Sequence, residues 1–230
     1  MFANFDFDVI RRSLSYLFLD GMTFTLTLTA LATCGGVIWG TLIAMMRLSG
    51  VWGLPRIAQL YVDLMRSLPL VLVIFWFYFL VPYIGQWLTG ASRPVRVGAF
   101  ASSLLTFTLF EAAYFAEIMR AGIQSISRGQ PAAASALGLT YWQTMRYVVL
   151  PQAFRNMLPV LLTQTIVLFQ DTSLVYVLSI PDFLGAASKV AQRDGRLVEM
   201  YLFAALVYFV ISCIASFGVR RLQSRIAIVR

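Results

Sequence analysis

An all-α membrane protein with five transmembrane helices is the fold the sequence predicts, on three observations. Hydrophobic residues make up 60% of the 230 and charged residues 12%, whereas a soluble domain carries about a quarter charged residues. The apolar excess runs along the whole chain, so residues 1–230 read as one transmembrane domain with no soluble domain attached. Five apolar stretches are each long enough to cross a ~30 Å hydrocarbon core as a helix.

The elements follow in chain order. Residues 1–20 read as a polar, partly amphipathic segment at the membrane surface. They hold Asp6, Asp8 and Asp20 and no basic leader before an apolar core. The first span, 23–46, is therefore expected to act as its own uncleaved insertion signal. Its opening alternates with period two like a strand, but the run is far longer than a strand, and a lone strand in lipid leaves its backbone unsatisfied. Gly36 and Gly40 form a GxxxG pair suited to close helix packing. A turn at 49–55 leads to a second span at 57–81, kinked at Pro69, and an outer loop at 85–94. Spans at 97–118, 158–180 and 200–219 complete the set, with a polar loop at 181–199 and a tail containing Arg220, Arg221, Arg225 and Arg230.

Absent residue types narrow the chemistry. The chain has no His and a single Lys, Lys189. This excludes a His-based metal site or triad, and a Walker A loop, which needs Gly-Lys. Any ATP and Mg used must be bound by another chain, so no cofactor or metal is expected here. Cys34 and Cys213 lie in apolar blocks and read as small buried hydrophobes. The net charge of +8 reports membrane orientation rather than nucleic-acid binding.

The stretch 128–151, RGQPAAASALGLTYWQTMRYVVLP, is the longest polar-tolerant interval between apolar blocks. Pro131 suits a first helical turn, and Gly138 suits a left-handed helix end. Thr140 and Gln143 have capping-box spacing, and Pro151 is expected to kink or end the second piece. This segment resembles the signature loop of the membrane subunits of bacterial ABC importers: Glu-Ala-Ala, three residues, Gly, nine residues, Ile-x-Leu-Pro. Ala132, Ala133 and Ala134 fill the first three places, Gly138 the fourth, and Val148, Leu150 and Pro151 the last. Ala132 replaces the acidic residue and Val148 the Ile. MRSLPL at 65–70, EAAYFAEIMRAGIQSISRGQ at 111–130 and QDTSLVYVL at 170–178 are similar to permeases of polar amino acid importers, glutamate/aspartate importers above all.

The resemblance implies a type I ABC importer permease fold with the 128–151 loop as the coupling helix, including Gln130. It also implies two ATP-binding subunits, a second permease subunit and an extracytoplasmic amino acid-binding protein. Placing the tail and the loop in the cytoplasm gives that side 11 Arg and one acid, Asp63, and the other side seven basic residues and six acids. This obeys the positive-inside rule and puts the N-terminus out and the C-terminus in.

Ionisable groups at membrane depth are functional candidates. Glu111 lies ~21 Å along its helix from Val97, and Asp171 lies at a comparable depth. Both suit either interhelical packing or, with Ser173, a translocation path. Glu117 and Arg120 are spaced for a structural ion pair. Arg66 and Arg120 have the chemistry to meet an acidic substrate, but a place near the cytoplasmic edge already accounts for them. The rival reading is a stand-alone secondary transporter or channel with Glu111 and Asp171 as ion sites. Five spans without an inverted repeat disfavour it. An intramembrane enzyme lacks a nucleophile–base set or metal cluster at useful spacing.

Overall fold

A computed structural model describes residues 5–226; Arg230 and the first four residues lie outside that range. Among the described residues the chain is helical, with no strand. Five helices are long and apolar enough to cross a membrane: α1 Phe7–Leu48, α3 Leu70–Thr89, α4 Ala99–Gln124, α6 Tyr141–Leu178 and α8 Leu197–Ile226. Three shorter helices connect them: α2 Leu54–Ser67, α5 Gly129–Ala136 and α7 Phe183–Asp194.

Helix α4 is the centre. It packs against α1, α2, α3 and α6, and Phe107, Ala112, Ala113, Phe115 and Ala116 on it are fully buried. The expected close packing at the GxxxG pair is made with this helix. A Cβ on Gly40 would lie 2.8 Å from Phe115 Cβ and 3.0 Å from the Ala112 carbonyl oxygen. A Cβ on Gly36 would lie 3.0 Å from the Phe115 ring. Only glycine lets the two backbones approach this closely.

Five expectations need correction. The second span is not a kinked helix over 57–81. Leu68 and Pro69 adopt extended backbone with ψ of 139° and 128°, and separate α2 from α3. The proline ring disfavours the helical region for the residue before it, so the chain breaks here and the membrane-length helix is Leu70–Thr89. Of the expected surface segment at 1–20, the described residues 5–20 do not stand apart from the first span. From Phe7 the chain is helical and runs through a π-helical turn, Tyr16–Met22, into Thr23–Leu48. Val9, Leu17 and Met22 are buried there against α7 and α8.

Pro151 does not end its helix. The π-helical turn Met145–Val149 immediately precedes it; widening the ladder there accommodates the missing N–H and the ring. The fourth long helix consequently starts at Tyr141 rather than near 158. Finally, Cys34 and Cys213 are exposed, on faces their apolar neighbours share.

The largest departure is at 181–199, which is not a loop. Its residues 183–194 form α7, with Phe183, Ala186, Ala187 and Ala191 fully buried in a core shared with α1, α6 and α8. Asp182 caps it, accepting hydrogen bonds from Leu184 N–H at 3.0 Å and Gly185 N–H at 2.9 Å. Gly195, at φ 67°, ends it in the left-handed conformation. Thr25 Oγ1 accepts from the Phe183 N–H at 3.0 Å, tying the helix start to α1. Outside, Arg12 and Asp194 pair at 3.2 Å.

Asp182 is fully buried, and burial pushes its carboxyl up from 3.8 to about 7 despite the two N–H donors that favour the anion. The folded value exceeds the unfolded one, so folding takes up a proton between about pH 4 and pH 7. That contribution is complete at the acid end and is lost as the pH rises through the folded value. Thermal unfolding in detergent should therefore show wild-type stability falling across this window more than that of Asp182→Asn. Asp182→Ala, which loses the cap, should be less stable by ~1 kcal/mol.

Candidate functional site

Two regions gather the functional candidates. The first is the bent segment between α4 and α6. Helix α5 ends at Ala136, and Gly138 takes φ 81°, the left-handed geometry a side chain resists. Nothing lies within 4 Å of where its Cβ would be; backbone conformation, not space, requires the glycine. The Thr140–Gln143 capping box then forms, with the Thr140 N–H donating to Gln143 Oε1 at 2.8 Å. Ala134 is buried at the inner side of the bend, while Gln130, Ala132, Ala133, Gly138, Leu150 and Pro151 face outward. Leu137, Tyr141 and Trp142 project farthest, at 81%, 70% and 79% exposed. Sequence reasoning passed over these three, although aromatic residues at a polar bend are a usable signal for a contact surface.

The segment is held at both ends. Asn156 Nδ2 of α6 donates to Ser125 Oγ, just past α4, at 2.8 Å. At Gly122 of α4, a Cβ would meet Met157 Cβ of α6 at 2.8 Å. Displacing the bend therefore displaces both long helices.

The second region is the polar interior of α4 and α6. Glu111 is completely buried and accepts from Gln164 Nε2 at 3.1 and 3.3 Å. Its pairing is interhelical, α4 to α6. Asp171 is half-buried at the C-terminal end of the regular α-helical part of α6. Ser173 is not brought to that group. It lines a separate cavity of about 460 Å³ between α6 and α8, with Gln170, Tyr208 and Ser212. There Gln170 Nε2 donates to Ser212 Oγ at 3.0 Å.

Glu117 and Arg120 pair as the spacing predicts, and the structure enlarges the pair into a network. Arg47 of α1 donates to Glu117 and to Gln59 of α2, and Gln59 donates to Asp63 at 2.7 Å. The Tyr61 hydroxyl of α2 donates to the Leu109 carbonyl of α4. Helices α1, α2 and α4 are thus cross-linked beside the bend. No periodicity argument reveals a contact between residues 70 positions apart.

Residues 36–228 match the family of binding-protein-dependent transport system inner membrane components. The chain belongs to that family. It is a five-span inner-membrane transport component with the type I ABC importer permease fold. The glutamate/aspartate import permease protein GltK of Escherichia coli is 54% identical over 224 residues, 97% of this chain and 99% of that protein. The glutamine transport system permease protein GlnP of Escherichia coli is 32% identical, covering 98% and 99%. A crystal structure of an amino acid ABC transporter with histidines superposes with a TM-score of 0.86 at 31% identity, over 96% of this chain and 98% of that one. The methionine transporter MetNI, at 18% identity and TM-score 0.74, shares the fold. These matches give the stand-alone carrier no support.

The network has a checkable energetic consequence. Arg47 is 8% exposed and Glu117 25%, so Glu117→Ala leaves a buried guanidinium uncompensated and should cost ~3 kcal/mol, the lower part of the range for breaking a buried pair. Arg120 is 26% exposed, and Arg120→Gln should cost below ~1 kcal/mol. Thermal unfolding of both variants in one detergent checks the order.

Proposed function

We propose that this chain is the permease subunit of an ATP-driven importer for polar amino acids, glutamate and aspartate foremost. It works with two ATP-binding subunits, a second permease subunit of the same or a different kind, and an extracytoplasmic amino acid-binding protein. The observation that carries the reading is the bent segment 128–151. Its geometry is fixed at Gly138 by backbone and at Thr140 by a capping box, and it is anchored to α4 and α6 at both ends. A 54% identical glutamate/aspartate permease supports the substrate class.

The N-terminus lies outside and the C-terminus inside, so the bend, Arg220, Arg221 and Arg225 face the cytoplasm, as the positive-inside rule favours. Nucleotide-driven motion of the ATP-binding subunits pushes on the projecting Leu137, Tyr141 and Trp142. The push passes through the rigid bend to α4 and α6, whose polar interior opens alternately to each side. Asp171 stands on the translocation path. Glu111, buried behind it, holds Gln164 and keeps the two helices in register. Ser173 belongs to the other polar face, toward α8.

Gly138→Val adds strain of roughly 1–3 kcal/mol at a left-handed residue without a steric clash. The variant should assemble with its partners and hydrolyse ATP, while uptake of glutamate per ATP in proteoliposomes falls several-fold. Wild-type uptake per ATP would show that the bend does not transmit the stroke.

A further inference from the structure

The end of α6 farthest from the bend is built to flex. Its last seven residues, Thr172–Leu178, wind as a 3-10 helix. Such helices seldom exceed about four residues, and longer ones mark hinges or strain. Ser179 then takes φ 59°, a left-handed conformation uncommon for a residue with a side chain, and Asp182 caps the start of α7. The same link closes the bundle. Val175 and Ile180 are buried with Leu28, Phe107 and Leu168. Phe107 and Leu168 each stand four residues, about one helical turn, from Glu111 and Gln164, on the side away from the bend. An apolar plug thus caps the polar interior of α4 and α6.

A carboxyl sits where this plug is fastened. Asp182 is fully buried, and α7 is pressed onto α1 beside it: a Cβ on Gly21 would lie 2.9 Å from Ala186 Cβ and 3.2 Å from the Asp182 carbonyl oxygen. Thr25 of α1 is already engaged with the Phe183 N–H. The Tyr208 hydroxyl of α8 is buried without a hydrogen bond to a described residue, and it favours the Asp182 anion. The other ionisable groups on the packed elements are occupied or turned outward. Arg12 pairs with Asp194 and Arg196 with Glu199, while Asp20, Tyr176, Lys189 and Arg193 are exposed and Asp171 is half-buried. Among the described residues no cation forms an ion pair with Asp182.

We propose that Asp182 is a proton-operated latch on the plug: protonated, it keeps α7 docked and the polar interior shut on that side, and ionised, it releases α7 by flexing at residues 172–179. An unpaired carboxylate is costly to bury. The docked arrangement therefore holds its proton up to about pH 7, whereas a solvated aspartate loses it near 3.8. Docking is firmest at the acid end, weakens as pH rises between these values by about tenfold per unit at most, and changes no further above them. The effect on uptake rests on the importer reading above, which puts this end outside. External acid slows import by keeping the plug shut.

The test uses the complete importer in proteoliposomes, with internal pH constant and saturating binding protein outside. Glutamate uptake by the wild type is divided by that of Asp182→Asn, which is uncharged at every pH, so the pH response of the binding protein cancels. The ratio should be lowest in external acid, rise several-fold by about pH 7 and then level off. Tyr208→Phe removes a hydroxyl that favours the anion and should move the rise to higher pH, a shift that lost packing alone would not produce. A second readout needs no transport. Ile180→Cys, at a site 2% exposed, is made in a chain with Cys34 and Cys213 replaced by Ser. A membrane-impermeant maleimide outside should label it faster as pH rises through the same window, relative to the same thiol in Asp182→Asn. A ratio that is flat, or that falls with pH, in either measurement overturns the latch. Complexes that carry neither acidic amino acid but show the labelling rise overturn the importer reading and not the latch.

Discussion

The close approach of α1 to α4 is the constraint on which the remaining structure depends. Lipid chains are as apolar as the helices they surround, so helices in a bilayer gain little by hiding apolar surface from one another and rely on contact. Gly36 and Gly40 supply that contact by letting Phe115 and the Ala112 backbone fill the space side chains would occupy. The same approach brings Gly36 against Glu111, where an added Cβ would lie 3.2 Å from Glu111 Cβ. With α6 closing the other side, the carboxyl has one interhelical partner, Gln164. An expensive buried polar group is tolerated because the packing around it provides a hydrogen bond.

Function follows from what is attached to that central helix. Toward its C-terminal end, Glu117 gathers Arg47 and Arg120, and through Gln59 the amphipathic α2 joins the same body. One turn farther on, Gly122 lets Met157 of α6 press close, and the bend begins. Helix α3, by contrast, has only Val73 and Ile74 buried and is separated from α2 by the extended Leu68–Pro69 link. The arrangement is a cross-linked unit of α1, α2 and α4, joined to α6 through the bend, beside a more loosely held α3. A push at the bend moves a body, not a single helix.

Much of this was legible in the residues. Long apolar runs declare membrane helices because a bilayer admits few alternatives for the backbone, and the Thr140–Gln143 and Gly138 signals are local chemistry that tertiary context leaves intact. The harder features share a cause: they depend on neighbours distant in sequence. Helix α7 looks like a polar connector because Lys189, Arg193, Asp194 and Arg196 dominate the eye, yet Ala186, Ala187 and Ala191 bury a small-residue face that α1 and α8 complete. Asp182 and Gly195 bracket it as cap and stop, and were the available clue. Pro69 and Pro151 carry opposite outcomes from the same residue type. At 69 the preceding residue goes extended; at 151 a widened helical turn absorbs the ring. In the site, Glu117–Arg120 follows from spacing, whereas Arg47–Glu117 and Arg66–Tyr114 do not, nor does the cavity that Ser173 shares with α8.

The central claim is that the bend faces the cytoplasm and is where ATP-binding subunits take hold. Replacing Cys34 and Cys213 by Ser and introducing Leu137→Cys, at a site 81% exposed, gives one thiol whose side of the membrane is measurable. In sealed vesicles of known orientation, a membrane-impermeant maleimide should label it only from the cytoplasmic face, and added ATP-binding subunits should protect it. Labelling from the outer face, or labelling unaffected by those subunits, would contradict the account.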